Sequence, residues 1–462
     1  MYRFINRAFD HLNRRSPILI QTPNNRSFGN GSEEVCYGLL RAQRENKKVL
    51  FLYPRLVLFG KYRLSVVNKE RFHLQSDYSI SNENIYGLLG GLLLSIYLLL
   101  LRVLDWLRSS PTLRKVLRLI RPKMAQCWVR DAGYLVGRIG YSTLWKPDGV
   151  NSLSFNIVED QNWPQQYKKY IPPKLTEDRY RYCEQTRLQM GISLTDWFVC
   201  LHVSETRPLE ARNALIQNYV EAIKAITNAG GWVVRLGDAE MTPLPPMDRV
   251  IDYAHSRYKS EVMDLYLISQ CDFFIGNSSG PPMVATLFRK PRVIVNMTVW
   301  SIDFPLEMGD MALIKHIFSR SRNRFLSIKE IMEEPYTVEV HSAVSEGYEI
   351  VENTAEEIRD VVEEFLSKPK PFEYSDLQRT FNEARRSQVR RWLEQGEPRS
   401  LSSVPLDGVI TQQYRIASLI DAPAGTLGQR YLEQNWLVDD LDISSTSAYL
   451  HRATPPDGLS GS

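Results

Sequence analysis

Short apolar runs alternate with helix-like segments between residues 196 and 300 of this chain. The runs occupy 196–203, 232–238, 272–277 and 291–297, and helix-like stretches separate them. Strands that are apolar throughout bury both faces, which happens when helices cover the two sides of a parallel sheet. The pattern therefore predicts an α/β domain built on a parallel sheet.

A second α/β unit is predicted near the N-terminus. An apolar run at 17–22 precedes a polar loop with glycines, a helix-like segment and another apolar run at 47–55, which together indicate a βαβ unit. Because 462 residues exceed the usual size of one hydrophobic core, we expect two domains. The predicted organisation is a leading basic helix over 1–15, an N-terminal Rossmann-like domain over 16–170, a linker helix over 171–195, a C-terminal Rossmann-like domain over 196–395 and a partly disordered extension over 396–462.

A strongly apolar segment interrupts the N-terminal domain, within an insert at 82–125. Residues 85–101 carry no charge, and seven lysines and arginines follow between 102 and 123. A helix over these 17 residues would be about 25 Å long, slightly less than the ~30 Å hydrocarbon core of a bilayer. We expect a helix or bent hairpin that enters one leaflet, with Gly87, Gly90 and Gly91 allowing the bend. A membrane-spanning helix and a buried soluble helix are the alternatives.

The composition is that of a globular protein and disfavours two classes of function. A net charge of +4 over 462 residues does not indicate a nucleic-acid-binding protein. The five cysteines are scattered and form no C-x-x-C pair, which disfavours a zinc site or a disulfide framework and indicates a reducing compartment.

Polar residues follow the predicted C-terminal strands at the point where each strand ends. Ligands of an open parallel sheet bind beyond the carboxyl ends of its strands, so these residues are expected to converge on one site. They are His202, Glu205, Arg207, Arg235, Gly237, Asp238, Asn277, Ser278, Ser279, Gly280 and Asn296. Backbone donors, hydroxyls and guanidinium groups suit a diphosphate, and carboxylates suit sugar hydroxyls. A glycine- and serine-containing loop between a strand and a helix N-terminus is also typical of phosphate binding.

The same loop permits other interpretations. The stretch 276–280 matches G-x-S-x-G, which would make Ser278 the nucleophile of a hydrolase. Its candidate acid and histidine partners are Asp303, Asp310, His316 and His341. No G-x-G-x-x-G follows a strand and no G-x-x-x-x-G-K-[ST] occurs, which disfavours dinucleotide and P-loop sites. An Asp-x-Asp at 440–442 is an alternative site for a metal bound to a nucleotide diphosphate.

Residues 15–60 and, most specifically, 196–300 resemble a family of bacterial glycosyltransferases encoded among surface-polysaccharide genes; the second region includes the segments CLHV (200–203) and DLYLISQCDFFIGNSSG (264–280). More distantly, these two segments are similar to the donor half of GT-B fucosyltransferases, which carry an H-x-R motif after the first strand of that half and a serine pair near the donor phosphates. His202 matches the histidine, and Ser278 with Ser279 matches the serine pair. Ser204 stands where the arginine would be, which leaves Arg207 or Arg235 to supply the cation.

The resemblance implies the GT-B fold, in which two Rossmann-like domains face each other across a cleft, and a reaction without a catalytic metal or a cofactor. It implies transfer of a sugar from a nucleotide diphosphate sugar to a glycan or lipid-linked acceptor, in the cytoplasm at the inner face of the membrane, for surface polysaccharide biosynthesis. The alternatives are a nucleotide-sugar epimerase of similar fold and a non-catalytic, membrane-attached scaffold.

The predicted roles divide between the two domains. His202, Glu205 and Arg207 are expected to be catalytic, and the loop 277–280 with Arg235, Gly237 and Asp238 is expected to bind the donor. The acceptor side is assigned to Gly29, Asn30 and Glu33, and Glu33 or Glu34 is a further candidate for the general base.

Overall fold

The structure, a computed structural model, describes residues 16–21, 23, 28–56, 66–109, 167–205, 211–298, 304–333, 336–337, 347–369, 371–395, 399–400 and 424–437. The predicted leading helix, Arg207, Asp303, His341 and the Asp-x-Asp at 440–442 lie outside these residues. The described residues form two compact units. The first takes those of Met1–Gln185, Ser260–Ser269 and Thr286–Arg289, and the second takes the others.

Each unit contains strands and helices, and the longest helix, of 25 residues, lies in the first unit. The strands are β1 (Ile18–Gln21), β2 (Lys48–Phe51), β3 (Phe198–His202), β4 (Trp232–Arg235), β5 (Val250–Ile251), β6 (Phe273–Gly276), β7 (Arg292–Met297), β8 (Met311–Ile314), β9 (His316–Ser319), β10 (Arg324–Phe325), β11 (Tyr336–Thr337), β12 (Tyr348–Val351), β13 (Arg399–Ser400) and β14 (Thr426–Leu427). The α-helices are α1 (Phe28–Glu45), α2 (Ile85–Ser109), α3 (Glu177–Gln189), α4 (Val220–Asn228), α5 (Glu261–Gln270), α6 (Pro281–Leu287), α7 (Ile328–Glu333), α8 (Ala355–Ser367), α9 (Asp376–Gln395) and α10 (Gln429–Asn435).

A seven-stranded sheet forms the centre of the second unit. Its order is β14-β8-β7-β6-β3-β4-β5, and every neighbouring pair is parallel. If β3 is counted as strand 1 and β4 to β8 as strands 2 to 6, the strands from one edge, β5, across to β8 have the order 3-2-1-4-5-6. This is the strand order of a Rossmann sheet. The predicted α/β class and the Rossmann-like character of this region are thereby confirmed. The strand order reverses direction between β3 and β6.

The core of the second unit lies on the two faces of this sheet. Strands β3, β6, β7 and β8 are buried at every residue. The apolar sequences of the first three predict this burial. Helix α8 buries Ile358, Val361 and Phe365 on one face. A capping box begins this helix: the Thr354 hydroxyl accepts from the Glu357 N–H, and the Glu357 carboxylate accepts from the Thr354 N–H. Each bond satisfies a donor that the helix or its cap would otherwise leave unpaired.

The C-terminal region contributes to the same core. Strand β14 pairs with β8, and Leu427 and Leu432 are fully buried. The Tyr431 hydroxyl donates to the Ile314 carbonyl at the end of β8, at 2.6 Å. Residues 424–437, which the sequence places in an extension, are therefore part of the folded unit.

The first unit contains the predicted βαβ arrangement. Strands β1 and β2 are parallel, with Ile18 opposite Lys48 and Gln21 opposite Phe51, and α1 connects them. Helix α1 packs closely on the strands at Gly38, where an added Cβ would lie 2.1 Å from Gln21 Oε1 and 2.7 Å from the Phe51 ring. A glycine at this position lets the helix approach the sheet.

Helix α2 is the predicted apolar segment, and it is a single helix of 25 residues. Of the two expected forms, a helix or a bent hairpin, the structure has the helix, and its glycines pack closely against neighbouring residues. An added Cβ would lie 2.5 Å from the Asn82 carbonyl oxygen at Gly87, and 2.7 Å from the Tyr53 carbonyl oxygen at Gly91. Among the residues whose side chains the structure describes, no helix combines the length and the apolar character that crossing a membrane requires.

Candidate functional site

The reversal of strand order between β3 and β6 creates a crevice at the carboxyl edge of the sheet, because the flanking connections leave in opposite directions. His202 ends β3, and Gly276 ends β6 directly beside it. A Cβ at Gly276 would lie 2.9 Å from the His202 carbonyl oxygen. The two strands can therefore lie this close only with a glycine at 276. The predicted loop 277–280 begins at this point.

Asn277 joins the loop after β6 to the residues after β3. Its Oδ1 accepts from the Ser204 N–H at 3.1 Å, and its Nδ2 donates to the Arg212 carbonyl at 2.7 Å. The amide is completely buried. Asn277 thus fixes the rim of the crevice, and Ser204 contributes to it through its backbone.

The two serines of the loop have different environments. Ser279 Oγ lies 3.1 Å from His202 Nδ1, so it is bonded across the crevice. Ser278 Oγ is buried, with the residue 4% exposed, and it has no hydrogen-bond partner among the described residues. The backbone N–H groups of Ser278, Ser279 and Gly280 also have no acceptor within that part of the chain. Since buried polar groups are normally bonded, the loop presents donors that suit a bound anion.

The helix that follows the loop adds little to this set of donors. Helix α6 has seven residues and begins with Pro281 and Pro282, which have no N–H group. The next N–H, that of Met283, donates to the Gly280 carbonyl at 3.0 Å. The donors for a phosphate therefore belong to the loop itself, which corrects the expected contribution of the helix N-terminus.

Arg235 is engaged in a buried ion-pair network instead of facing the crevice. It is 0% exposed, and its guanidinium donates to Asp252 at 3.1 Å, to Glu205 at 3.2 Å and to the Thr242 carbonyl at 3.1 Å. Glu205 also accepts from the N–H groups of Thr242 and Ile216. Donor binding by Arg235 and base catalysis by Glu205 stay predictions, and this geometry favours a positioning role for both.

Gly237 and Asp238 lie just beyond β4. Gly237 has a φ of 154°, and an added Cβ would lie 2.4 Å from the Met241 sulfur. The Asp238 side chain is exposed, and its nearest cation is Lys259 at 3.9 Å. Asp238 is therefore free to accept hydrogen bonds from hydroxyl groups at this edge.

Lys315 is a cation at the same edge of the sheet that the sequence did not reveal. It follows the last residue of β8 and is buried. Within the described residues its only hydrogen-bond acceptor is the Asn213 carbonyl oxygen, at 2.5 Å. This carbonyl adjoins that of Arg212, which Asn277 holds. Burial lowers the pKa of Lys315 to about 8, and the nearby Glu352 opposes that shift. A lysine directly after an apolar strand is the only signal in the sequence.

The predicted acceptor-side residues lie in the first two turns of α1. Gly29 and Glu34 are buried and Glu33 is half-buried; the side chain of Asn30 is outside the description. Arg71, which no sequence pattern indicates, donates to the Phe28 carbonyl at the start of this helix at 3.3 Å. Burial lowers the pKa of Arg71 to about 9, against the opposing charges of Glu34 and Glu261. The start of α1 therefore combines buried acidic and basic groups.

The hydrolase alternative is not supported by the described residues. His202 bonds to Ser279 and not to Ser278. His316 is held by both oxygens of Glu357 at 3.0 Å, and Asp310 pairs with Arg292 at 3.4 Å. These partners hold both groups within the core, so neither completes a triad with Ser278.

The cysteines among the described residues are all buried and form no disulfide with one another; they are Cys36, Cys183, Cys200 and Cys271. No cluster of three histidine, cysteine or carboxylate side chains suited to a metal ion occurs in the ranges that the structure describes.

No protein-family model and no curated protein sequence matches this chain. Three solved structures show partial similarity. ADP-heptose LPS heptosyltransferase II from E. coli has 12% identity and a TM-score of 0.32, over 64% of this chain and 90% of that one. A family 9 glycosyltransferase from Veillonella parvula has 11% identity and a TM-score of 0.29, over 60% and 79%.

The third is a dodecameric iron-containing heptosyltransferase solved with ADP-D-beta-D-heptose, with 21% identity and a TM-score of 0.17 over 22% of this chain. The match spans only 28% of the length of that protein. None of the three is a fucosyltransferase, so they do not support the predicted similarity to fucosyltransferases. TM-scores in this range do not define a shared fold, and the strand order and the contacts of this chain carry the assignment.

Proposed function

We propose that the protein is a glycosyltransferase that binds a nucleotide diphosphate sugar at the β3–β6 crevice of its second unit. The observation that carries this proposal is the buried Ser278 hydroxyl, which has no partner among the described residues. It lies in a loop whose three successive N–H groups also have no acceptor there. A diphosphate supplies the acceptor oxygens that these donors require.

The proposed chemistry is stabilisation of the leaving diphosphate. Negative charge develops on the β-phosphate as the bond between the anomeric carbon of the sugar and the β-phosphate oxygen breaks. Hydrogen-bond donors fixed in advance lower the energy of that state. We assign this role to Ser278 and the N–H groups of 278–280. Lys315 would supply positive charge at the same edge, in place of the arginine that the resemblance expects at 204. We further propose that these groups act without a divalent metal.

His202 is proposed as a positioning residue in this scheme. Its bond to Ser279 fixes the loop across the crevice, which keeps the donors in place before the substrate arrives. Asp238 is proposed to accept hydrogen bonds from the sugar or ribose hydroxyls. The acceptor, a glycan or a lipid-linked sugar, is assigned to the first unit near Gly29, Asn30 and Glu33, with Glu33 or Glu34 as its general base.

Thermal stabilisation by nucleotides tests the proposal. A ligand that binds only the native state at 100 times its Kd stabilises the protein by about 2.7 kcal/mol. One nucleoside diphosphate is expected to raise the Tm of the wild type, and its sugar conjugate is then the donor for a transfer assay. Removal of a hydrogen bond to a charged group costs about 1.5–3 kcal/mol, so Ser278→Ala should weaken binding about 10- to 150-fold.

Ser367→Ala is the matched control, because this serine is exposed and bonds only to carbonyls of its own helix. Unchanged nucleotide affinity in Ser278→Ala would contradict the assigned phosphate site. Release of a modified nucleotide sugar without an acceptor would instead identify an epimerase. Nucleotide binding without any turnover would identify a non-catalytic scaffold.

A further inference from the structure

The outward face of helix α2 is almost entirely apolar. Large side chains that are 38–72% exposed project from it. They are Ile85, Tyr86, Leu88, Leu89, Leu92, Leu93 and Ile96. At 100° per residue these positions cover about 160° of the helix circumference. We call this surface the α2 outer face. The Tyr86 hydroxyl is its only hydrogen-bonding side-chain group.

The opposite face of α2 carries the small residues and is fixed to the fold. Ser95 is fully buried, and its hydroxyl accepts from the N–H groups of Arg55 and Leu56 at 2.8 and 3.1 Å. Gly90 and Gly91 pack against the chain that follows β2, and an added Cβ at Gly90 would lie 2.7 Å from Leu52 Cδ2. A surface helix of a soluble protein normally turns its apolar face toward the core and its polar face toward water. Helix α2 has the opposite arrangement, with its large apolar side chains facing outward.

We propose that the α2 outer face inserts into one leaflet of a lipid bilayer that carries anionic head groups. This inference goes beyond the proposed function, since it would hold for any activity of the crevice. A helix with a broad apolar face and flanking basic residues lies in the plane of the membrane interface, with the apolar side chains among the acyl chains.

The charge distribution selects lipid as the occupant. Residues 85–101 carry no charge, whereas 102–123 carry seven basic residues and one acidic residue, Asp105. Basic residues next to an apolar membrane-binding segment bind anionic head groups, at about 1 kcal/mol for each lysine or arginine near the surface. An interface with a second copy typically has one hydrogen bond per 100–200 Å², and the single hydroxyl of this face supplies too few.

The insertion fixes the orientation of the first unit. Because Leu52 to Leu56 directly follow β2 and hold the inner face of α2, the carboxyl edge of β1 and β2 lies close to the helix. A bilayer under the outer face would therefore lie beside this edge. A lipid-linked substrate could reach the edge without leaving the membrane.

Co-sedimentation of the full-length protein with vesicles tests the inference. Vesicles of phosphatidylethanolamine with phosphatidylglycerol are compared with vesicles of phosphatidylcholine alone. The wild type should bind the anionic vesicles at least tenfold more tightly than the neutral ones. The double variant L89E/L93E should bind the anionic vesicles at least tenfold less tightly, and the milder L89Q/L93Q should fall between the two. L188E is the matched control, because Leu188 is an equally exposed leucine on α3, and it should bind like the wild type.

Three outcomes would overturn the inference. The first is a wild type that binds neither kind of vesicle, and the second is equal vesicle binding by the wild type and L89E/L93E. The third is a wild-type dimer, measured by light scattering, that L89E/L93E dissociates while neither protein binds vesicles. That result would assign the α2 outer face to a second copy. The Tm of each variant is measured alongside, and L89Q/L93Q provides the comparison if L89E/L93E does not fold.

Discussion

His202 Nδ1 lies 3.1 Å from Ser279 Oγ, and this bond joins the ends of the two strands between which the sheet reverses its order. The bond occupies one of the two serine hydroxyls in the loop. The other hydroxyl, that of Ser278, is buried beside it and has no partner in the described part of the chain. The two serines therefore differ in role. Ser279, bonded to His202, holds the loop in place, and the Ser278 hydroxyl is available to a ligand.

This separation predicts that His202 and Ser279 act as one unit. Loss of a neutral hydrogen bond costs about 0.5–1.5 kcal/mol, so His202→Ala and Ser279→Ala should each weaken nucleotide affinity about 2- to 10-fold. The double variant should be no weaker than either single variant, because all three lack the same bond. Isothermal titration of the four proteins measures the coupling. Additive losses would show that the two residues contact the ligand separately.

The parallel sheet was predictable because its central strands are apolar throughout. Strands β3, β4, β6 and β7 coincide with the apolar runs at 196–203, 232–238, 272–277 and 291–297. After residue 305 the sequence predicts helices over 327–334, 354–369 and 376–396, where α7, α8 and α9 lie, but no strands. Strand β14 has only two residues and pairs with β8 across more than 100 residues of chain. Periodicity within a short window cannot reveal such a pairing.

The candidate site was predictable in position but not in the state of each side chain. The rule that ligands bind at the carboxyl ends of parallel strands identified His202, Ser278 and Asp238. It also identified Arg235, whose burial depends on Asp252 and Glu205 from two other segments. Lys315 was missed because strand β8 was not predicted. Local sequence therefore indicated which edge of the sheet carries the candidate site. Tertiary contacts decide which polar side chains at that edge are available to a ligand.

The Arg235 network predicts a loss of stability rather than of affinity. Arg235→Ala would leave Glu205 and Asp252 without their shared cation, and removal of one partner of a buried ion pair costs about 3–5 kcal/mol. Urea denaturation measures the loss. Arg181→Ala is the control, because its pair with Glu177 is exposed and should contribute less than about 1 kcal/mol. A large loss of nucleotide affinity in folded Arg235→Ala would instead restore this residue to the donor site.

Gly276 is predicted to be required for the close approach of β3 and β6. A Cβ there would lie 2.9 Å from the His202 carbonyl oxygen and 3.0 Å from the Phe274 ring, so Gly276→Ala must push backbone apart. Overpacking of this kind costs about 1–3 kcal/mol. Gly347→Ala is the matched control, since nothing lies within 4 Å of its added Cβ. Equal unfolding free energies for the two variants would contradict the prediction.

Lys315 predicts a dependence of stability on pH. Its pKa in the folded protein is about 8, below the ordinary value of 10.5. The unfolded chain therefore binds more protons between these values, and stability rises with pH across that window. The penalty for burying the charged amine is fully present below pH 8 and amounts to about 3 kcal/mol.

Lys315→Met should remove this dependence, because methionine does not titrate. The unfolding free energy of the wild type minus that of the variant should increase between pH 7.5 and 10, by up to about 3 kcal/mol. Urea denaturation at half-unit pH steps measures the difference. Lys224→Met, which replaces an exposed lysine, is the control for the loss of one positive charge. Parallel pH profiles for the wild type and Lys315→Met would mean that the amine is not desolvated in the folded protein. Its assignment as the buried cation of the crevice would then fail.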